Sequence, residues 1–180
     1  MENTQALGLV TRRGDHYDVR FERQYGRPVE TVWRALTEPA RLADWMGVSH
    51  VEPFVGGRFD LIQDSAAPMT GQVRVWEPPK VLEFSWSNDD APDSIIRYEL
   101  TATEGGTRMV FVQSGIQIAR SALMLPGWHW LFDRLGNALD GSTVTHPSWR
   151  DLQKVYVDTL KLEGVLLDVP AKPAAASVPA

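Results

Sequence analysis

The stretch SALMLPGWHWLFDRLGNAL, residues Ser121 to Leu139, decides the fold. Within it Trp128, Leu131, Phe132, Leu135 and Leu139 recur at i, i+3, i+4, i+7 and i+11. They form one apolar stripe, broad enough for a long helix to cover a sheet. Pro126-Gly127 implies a kink, or a helix start near Leu125. Upstream, Val48 to Gly115 reads as strands and tight turns: Val48–Val51, Arg58–Gln63, Gly71–Trp76, Lys80–Ser87, Ile95–Thr103 and Thr107–Ser114. Gly105-Gly106 is a two-residue hairpin signal, and Asn88–Asp93 reads as a polar loop. Spacing this close leaves no room for crossover helices, so the strands must pair antiparallel. Both faces of Thr107–Ser114 are apolar, which leaves its buried face open.

Further out, Pro28 suits the first turn of a helix striped by Val29, Val32, Trp33 and Leu36. Pro39 opens a second helix with Leu42, Trp45 and Met46 inward and Gly47 at its end. Leu9 to Tyr25 is a hairpin turning at Gly14-Asp15, with Tyr17, Val19, Phe21 and Arg23 on one face of its second strand. Beyond Gly141, Ser148-x-x-Asp151 resembles a helix-start box, and Trp149, Leu152, Tyr156 and Leu160 give the helix a buried side. The expected architecture is α+β, a curved antiparallel sheet wrapped around one long C-terminal helix. The expected organisation is one domain over 1–168, with a hairpin at 7–26, a core at 18–141, a helical extension at 142–168 and a disordered Ala/Pro-rich tail at 169–180.

Composition removes several function classes. The 180 residues are 43% apolar and 23% charged, ordinary for a globular chain. No cysteine is present, which excludes disulfides, thiolate metal sites and cysteine nucleophiles. With 18 basic against 23 acidic side chains and a net charge of −5, no basic stripe is available for nucleic acid. No apolar run approaches the ~20 residues of a membrane span, and Met1 to Gly8 does not read as a signal peptide. A cytoplasmic location is expected, and a homodimer is left open.

The order of motifs resembles a known family. Val32-Trp33-x-Ala35-Leu36-Thr37-x-Pro39, Leu42-x-x-Trp45 and Gly56-Gly57-x-Phe59 are followed by Gly71-x-Val73 and Pro78-Pro79-x-Val81-Leu82-x-Phe84-x-Trp86. Gly105-Gly106-Thr107-Arg108 and Gly127-Trp128-x-x-Leu131-x-x-Leu135 complete the series. This arrangement, from about Asp18 to Gly141, resembles the START-like/Bet v 1-like (SRPBCC) superfamily, in its branch similar to the C-terminal domain of the activator of Hsp90 ATPase. The resemblance implies a helix-grip fold and a hydrophobic cavity. It carries no shared catalytic motif onto these positions.

The residues themselves nominate little chemistry. His16, His50, His129 and His146 lack the spacing that sets two ligands on one helix face, so no metal site and no cofactor is expected. His16 and His146 fall in expected loops, and His129 is read as structural or solvent-facing. Asp89-Asp90 reads as a solvated turn, and Asp133 and Arg134 as facing water or pairing with neighbours. No G-x-S-x-G elbow or phosphate loop is present. The seven tryptophans are more telling, because aromatic side chains line apolar sites. Trp33 is assigned to core packing. Trp45, Phe59, Trp86, Tyr98, Trp128 and Phe132 are the expected lining of a cavity of roughly 300–1,000 Å³. The expected function is non-catalytic binding of a small hydrophobic or aromatic molecule. The alternatives are a cyclase- or hydrolase-like enzyme using His129, Tyr98 or a buried carboxylate, and a chaperone-associated interaction domain with an exposed apolar patch and a filled interior.

Overall fold

The computed structural model describes residues 6–62, 68–88 and 91–160, so the expectations for Asp89-Asp90 and for 161–180 lie outside them. Gly14, at φ +67°, turns β1 (Leu9–Arg13) onto β2 (His16–Tyr25) with Arg13 opposite His16. The turn is that short, so His16 belongs to the strand rather than to a loop. Alternation then buries Val19, Phe21, Arg23 and Tyr25.

Two short helices follow. Pro28 sits one residue ahead of α1 (Val29–Thr37), at its N-cap instead of in its first turn, and its carbonyl accepts the Thr31 and Val32 N–H groups. Val32, Trp33 and Leu36 turn inward, and Trp33 meets Trp76 edge-on at 5.3 Å between ring centres. Pro39 opens α2 (Pro39–Leu42) as expected, but the helix ends at Leu42 rather than at Gly47, and Trp45 and Met46 are buried from the turn that follows.

β3 (Val48–Val51) and β4 (Phe59–Ile62) form a separate antiparallel pair. β5 (Val73–Glu77), β6 (Val81–Asn88), β7 (Ala91–Thr103) and β8 (Gly106–Gln117) meander antiparallel, and the six-stranded sheet runs β1-β2-β8-β7-β6-β5. Isolated bridges at Arg58–Gln72, Leu61–Met69 and Thr70–Ser87 join the pair to the sheet. β6 runs to Asn88 and β7 starts at Ala91, opposite it, so strand replaces the expected polar loop on both sides of residues 89–90. On β8 the inward side chains are Thr107, Met109, Phe111 and Gln113.

α3 (Ile118–Asp140) begins directly after β8, earlier than either start read from the sequence, and carries Pro126 inside it. Pro126 forfeits one ladder hydrogen bond, and the apolar face packed beneath the helix holds it together. α4 (Trp149–Leu160) starts with the expected box: the Asp151 carboxylate accepts from the Ser148 N–H at 3.0 Å, and the Asp151 N–H donates to Ser148 Oγ at 3.3 Å. The result is an α+β helix-grip fold, in which α3 crosses the inner face of the sheet over β2 and β8 with α4 alongside.

Candidate functional site

α3 touches the sheet along a line and divides the inner face into two unlike flanks. Towards β7 and β6 lies an aromatic wall. Phe59 stacks on Phe84 at 3.9 Å, Phe84 leads to Trp86 at 6.0 Å, and Trp86 meets Trp128 at 5.9 Å. Tyr98 touches Phe111 at 5.1 Å, and Phe111 touches Trp128 at 4.4 Å and Phe132 at 5.0 Å. Phe59, Trp86, Tyr98, Trp128 and Phe132 therefore come together as expected. Trp45 stands apart: its indole N–H donates to the Ala35 carbonyl at 2.9 Å and ties the segment after α2 to α1.

Two members of the wall were missed. Phe84 follows the same alternation as Trp86 and was readable. Phe111 was hidden because its strand is apolar on both faces. The rings are largely buried: Phe59 and Tyr98 are each 2% exposed, Trp128 4% and Phe132 0%, with Trp86 half-buried at the margin.

Polar groups run behind the rings. Trp128 Nε1 donates to Gln113 Oε1 at 2.7 Å, Gln113 Nε2 to Ser94 Oγ at 2.9 Å, and Ser94 Oγ to the Trp86 carbonyl at 3.2 Å. This chain locks α3, β8, β7 and β6 in register. The Tyr98 hydroxyl, buried in the same wall, has no hydrogen-bond partner among the described residues. Burial pushes its pKa well above the ordinary value, so it stays a phenol, able to donate a hydrogen bond but not to act as a base.

The other flank, towards β2 and α4, carries ionisable groups set against the Phe21 ring. His129, expected to be structural or solvent-facing, is 6% exposed; its Nδ1 shares a 2.8 Å hydrogen bond with the Tyr156 hydroxyl, which also accepts the Gly8 N–H at 2.8 Å. Asp133 is buried rather than water-facing, 3.8 Å from His129 Nε2 and 3.7 Å from His146 Nδ1. Burial lowers the His129 pKa to about 4 and raises that of Asp133. His129 is thus neutral near pH 7 and faces away from the aromatic wall. Arg134 lies over the Trp130 ring at 4.7 Å. His50 comes within 3.8 Å of Glu52, because the strand ends where that carboxylate begins the turn. Arg23 is the unread residue here: 2% exposed, it was placed on the inner face by alternation but given no role.

Among the described residues no group of three or more His, Asp and Glu side chains is arranged to hold a metal ion, and no helix is long and apolar enough to cross a membrane.

Known proteins bear on this geometry. The family model for Activator of Hsp90 ATPase homolog 1-like protein matches residues 27–140. No curated protein matches the chain. Among solved structures, protein MLL2253 from Mesorhizobium loti is 30% identical, covers 71% of this chain and 99% of its own, with a TM-score of 0.64. CalU16 from Micromonospora echinospora is 24% identical over 86% of this chain and 95% of its own, with a TM-score of 0.71. DynU16, a protein in the dynemicin biosynthetic locus, is 26% identical over 71% of this chain but only 48% of its own, with a TM-score of 0.64.

Proposed function

Because the chain belongs to the family of Activator of Hsp90 ATPase homolog 1-like proteins, within the START-like superfamily, we propose that it binds a small hydrophobic or aromatic molecule between the sheet and α3. The observation that carries this reading is the unpartnered Tyr98 hydroxyl inside a wall of rings. Native proteins seldom leave a buried hydroxyl unpaired, and a guest oxygen would pair it. The guest enters beside Trp86, the half-buried ring, and parts the stacked pairs as it does so. Burying even 300 Å² of its apolar surface, at roughly 25 cal/mol per Å², supplies several kcal/mol before ordering costs. Similarity to a protein of a biosynthetic locus supports a small-molecule role. Native mass spectrometry of freshly purified protein is the test. A discrete added mass that is retained by wild type and lost in Tyr98→Phe supports the reading. A bare protein mass that titration with aromatic ketones leaves unchanged would sink it.

One observation favours the interaction reading. Val48 and Ile62 pair across β3 and β4 and are 68% and 53% exposed; Phe54 and Val55, in the turn between them, are 56% and 64% exposed. Exposed apolar groups on a two-stranded pair suit a protein partner. Stimulation of an Hsp90 ATPase by wild type, abolished in Val48→Ser/Ile62→Ser, would support a chaperone role, and no stimulation by wild type would remove it.

A further inference from the structure

On the β2 flank of α3, the guanidinium of Arg23 is buried with half its fork unused. Nη1 donates to the Ala6 carbonyl at 2.7 Å and to the Glu22 carbonyl at 3.0 Å. Nε and Nη2 have no partner among the described residues. Those two N–H groups lie along one edge of the guanidinium, the edge that meets both oxygens of a carboxylate in a bidentate pair. The cation sits 5.0 Å from the centre of the Phe21 ring and 5.8 Å from that of Phe132, so the surroundings are apolar faces. Asp133 lies near enough to favour the positive charge but forms no ion pair with it, and burial works against that charge.

The site has a cover. Residues 6–8 run across Arg23, held by the Ala6 carbonyl on Nη1 and by the Gly8 N–H on the Tyr156 hydroxyl. Gly8 has no alternative at this closeness, since a Cβ there would stand 2.4 Å from the Phe21 ring. Leu7 adds an apolar contact with the core, and the Ala6 carbonyl already occupies one position that an anionic oxygen could take.

We propose that Arg23 anchors a second ligand site, for the carboxylate of a small apolar acid, closed in this structure by the strap Ala6–Gly8. The acid group pairs with Nε and Nη2, and its apolar body lies against Phe21 and Phe132. This proposal does not rest on the aromatic-wall reading: its anchor is Arg23 on the β2 flank of α3 rather than Tyr98, although Phe132 is shared with the wall.

The test uses the full chain with 4-phenylbutyrate as probe, its amide as the uncharged control and inorganic phosphate as the other oxyanion. The Arg23 Nε–H signal in ¹H–¹⁵N NMR spectra, assigned by its disappearance in Arg23→Lys, reports the site directly. The expected result is a saturable shift of that signal, binding of the acid at least tenfold tighter than the amide, and loss of that preference in Arg23→Lys. Should Arg23→Lys fail to fold, saturation of a wild-type arginine Nε–H signal by the acid and not by the amide decides the matter. An unmoved signal, or equal affinity for acid and amide, overturns the proposal. Phosphate competing as well as the acid overturns its carboxylate assignment. Binding that is lost in Tyr98→Phe while the arginine signals stay fixed places the probe in the aromatic wall and likewise overturns it.

Discussion

Tyr98 and Trp45 show what a single aromatic residue does once its polar tip is followed. The Trp45 tip is satisfied by a backbone carbonyl and serves packing; the Tyr98 tip is buried and unpaired. Tyr98→Phe is therefore expected to leave stability unchanged or raise it by up to about 1 kcal/mol in the guest-free protein, since it deletes an unsatisfied group. The same change is expected to weaken an oxygen-bearing guest by roughly tenfold, about one hydrogen bond. Urea denaturation and ligand titration on the two proteins separate these effects. At this scale the sequence was legible for ring placement and illegible for partners. Phe59, Trp86 and Tyr98 were expected to line one interior, and they lie in one wall. Nothing in the sequence could show that the Trp45 indole finds Ala35 or that Tyr98 finds nothing, because those facts depend on neighbours brought from elsewhere in the chain.

Elements were easier to read, and their errors have local causes. The helix-start box of α4 was stated by Ser148 and Asp151, and both reciprocal contacts form. Ser148→Ala is expected to cost about 1 kcal/mol by removing the side-chain cap, measured as a shift in thermal or urea midpoint. The start of α3 was misplaced because Pro126-Gly127 reads as a boundary when only local rules apply, whereas the sheet beneath supplies the packing that carries the helix through it. β7 was cut short for a similar reason: polar residues and Pro92 look like a loop, yet pairing with β6 extends the strand to Ala91. Tyr156 shows the reach of an element beyond its own packing. Tyr156→Phe deprives the Gly8 N–H and His129 Nδ1 of a common partner. The expected outcome is faster proteolytic cleavage within residues 6–13 in native buffer, with the rest of the domain resistant.

For the molecule as a whole, the two flanks of α3 respond differently to pH. His129 is held neutral by burial, with a pKa of about 4 against an ordinary value of 6.5. Between those values an unfolded chain takes up a proton that the folded one refuses, so stability falls as pH drops from about 6.5 towards 4. The loss over that window is on the order of 3 kcal/mol. Asp133 acts in the opposite sense: its raised pKa lets the folded state take up a proton first, which offsets part of the loss at the acid end of that window. Urea midpoints at pH 7 and pH 4.5 should drop for wild type and drop less for His129→Asn; equal drops would remove His129 from the account. The fold was legible at this scale because strand count, turn spacing and one long apolar stripe admit few topologies. The division into an aromatic and an ionisable flank was not, since it arises from successive residues, Trp128 and His129, then Phe132 and Asp133, leaving the helix in different directions.

The hydroxyl of Tyr156 joins residues 148 positions apart, taking the amide of Gly8 beside the imidazole of His129. That single oxygen works as a buckle, where the start of the leading hairpin, the trailing helix and the middle of the chain meet. Trimming either flank down to the span that matches the family would undo the clasp for the other, so a shortened version should behave as a looser protein rather than a minimal one.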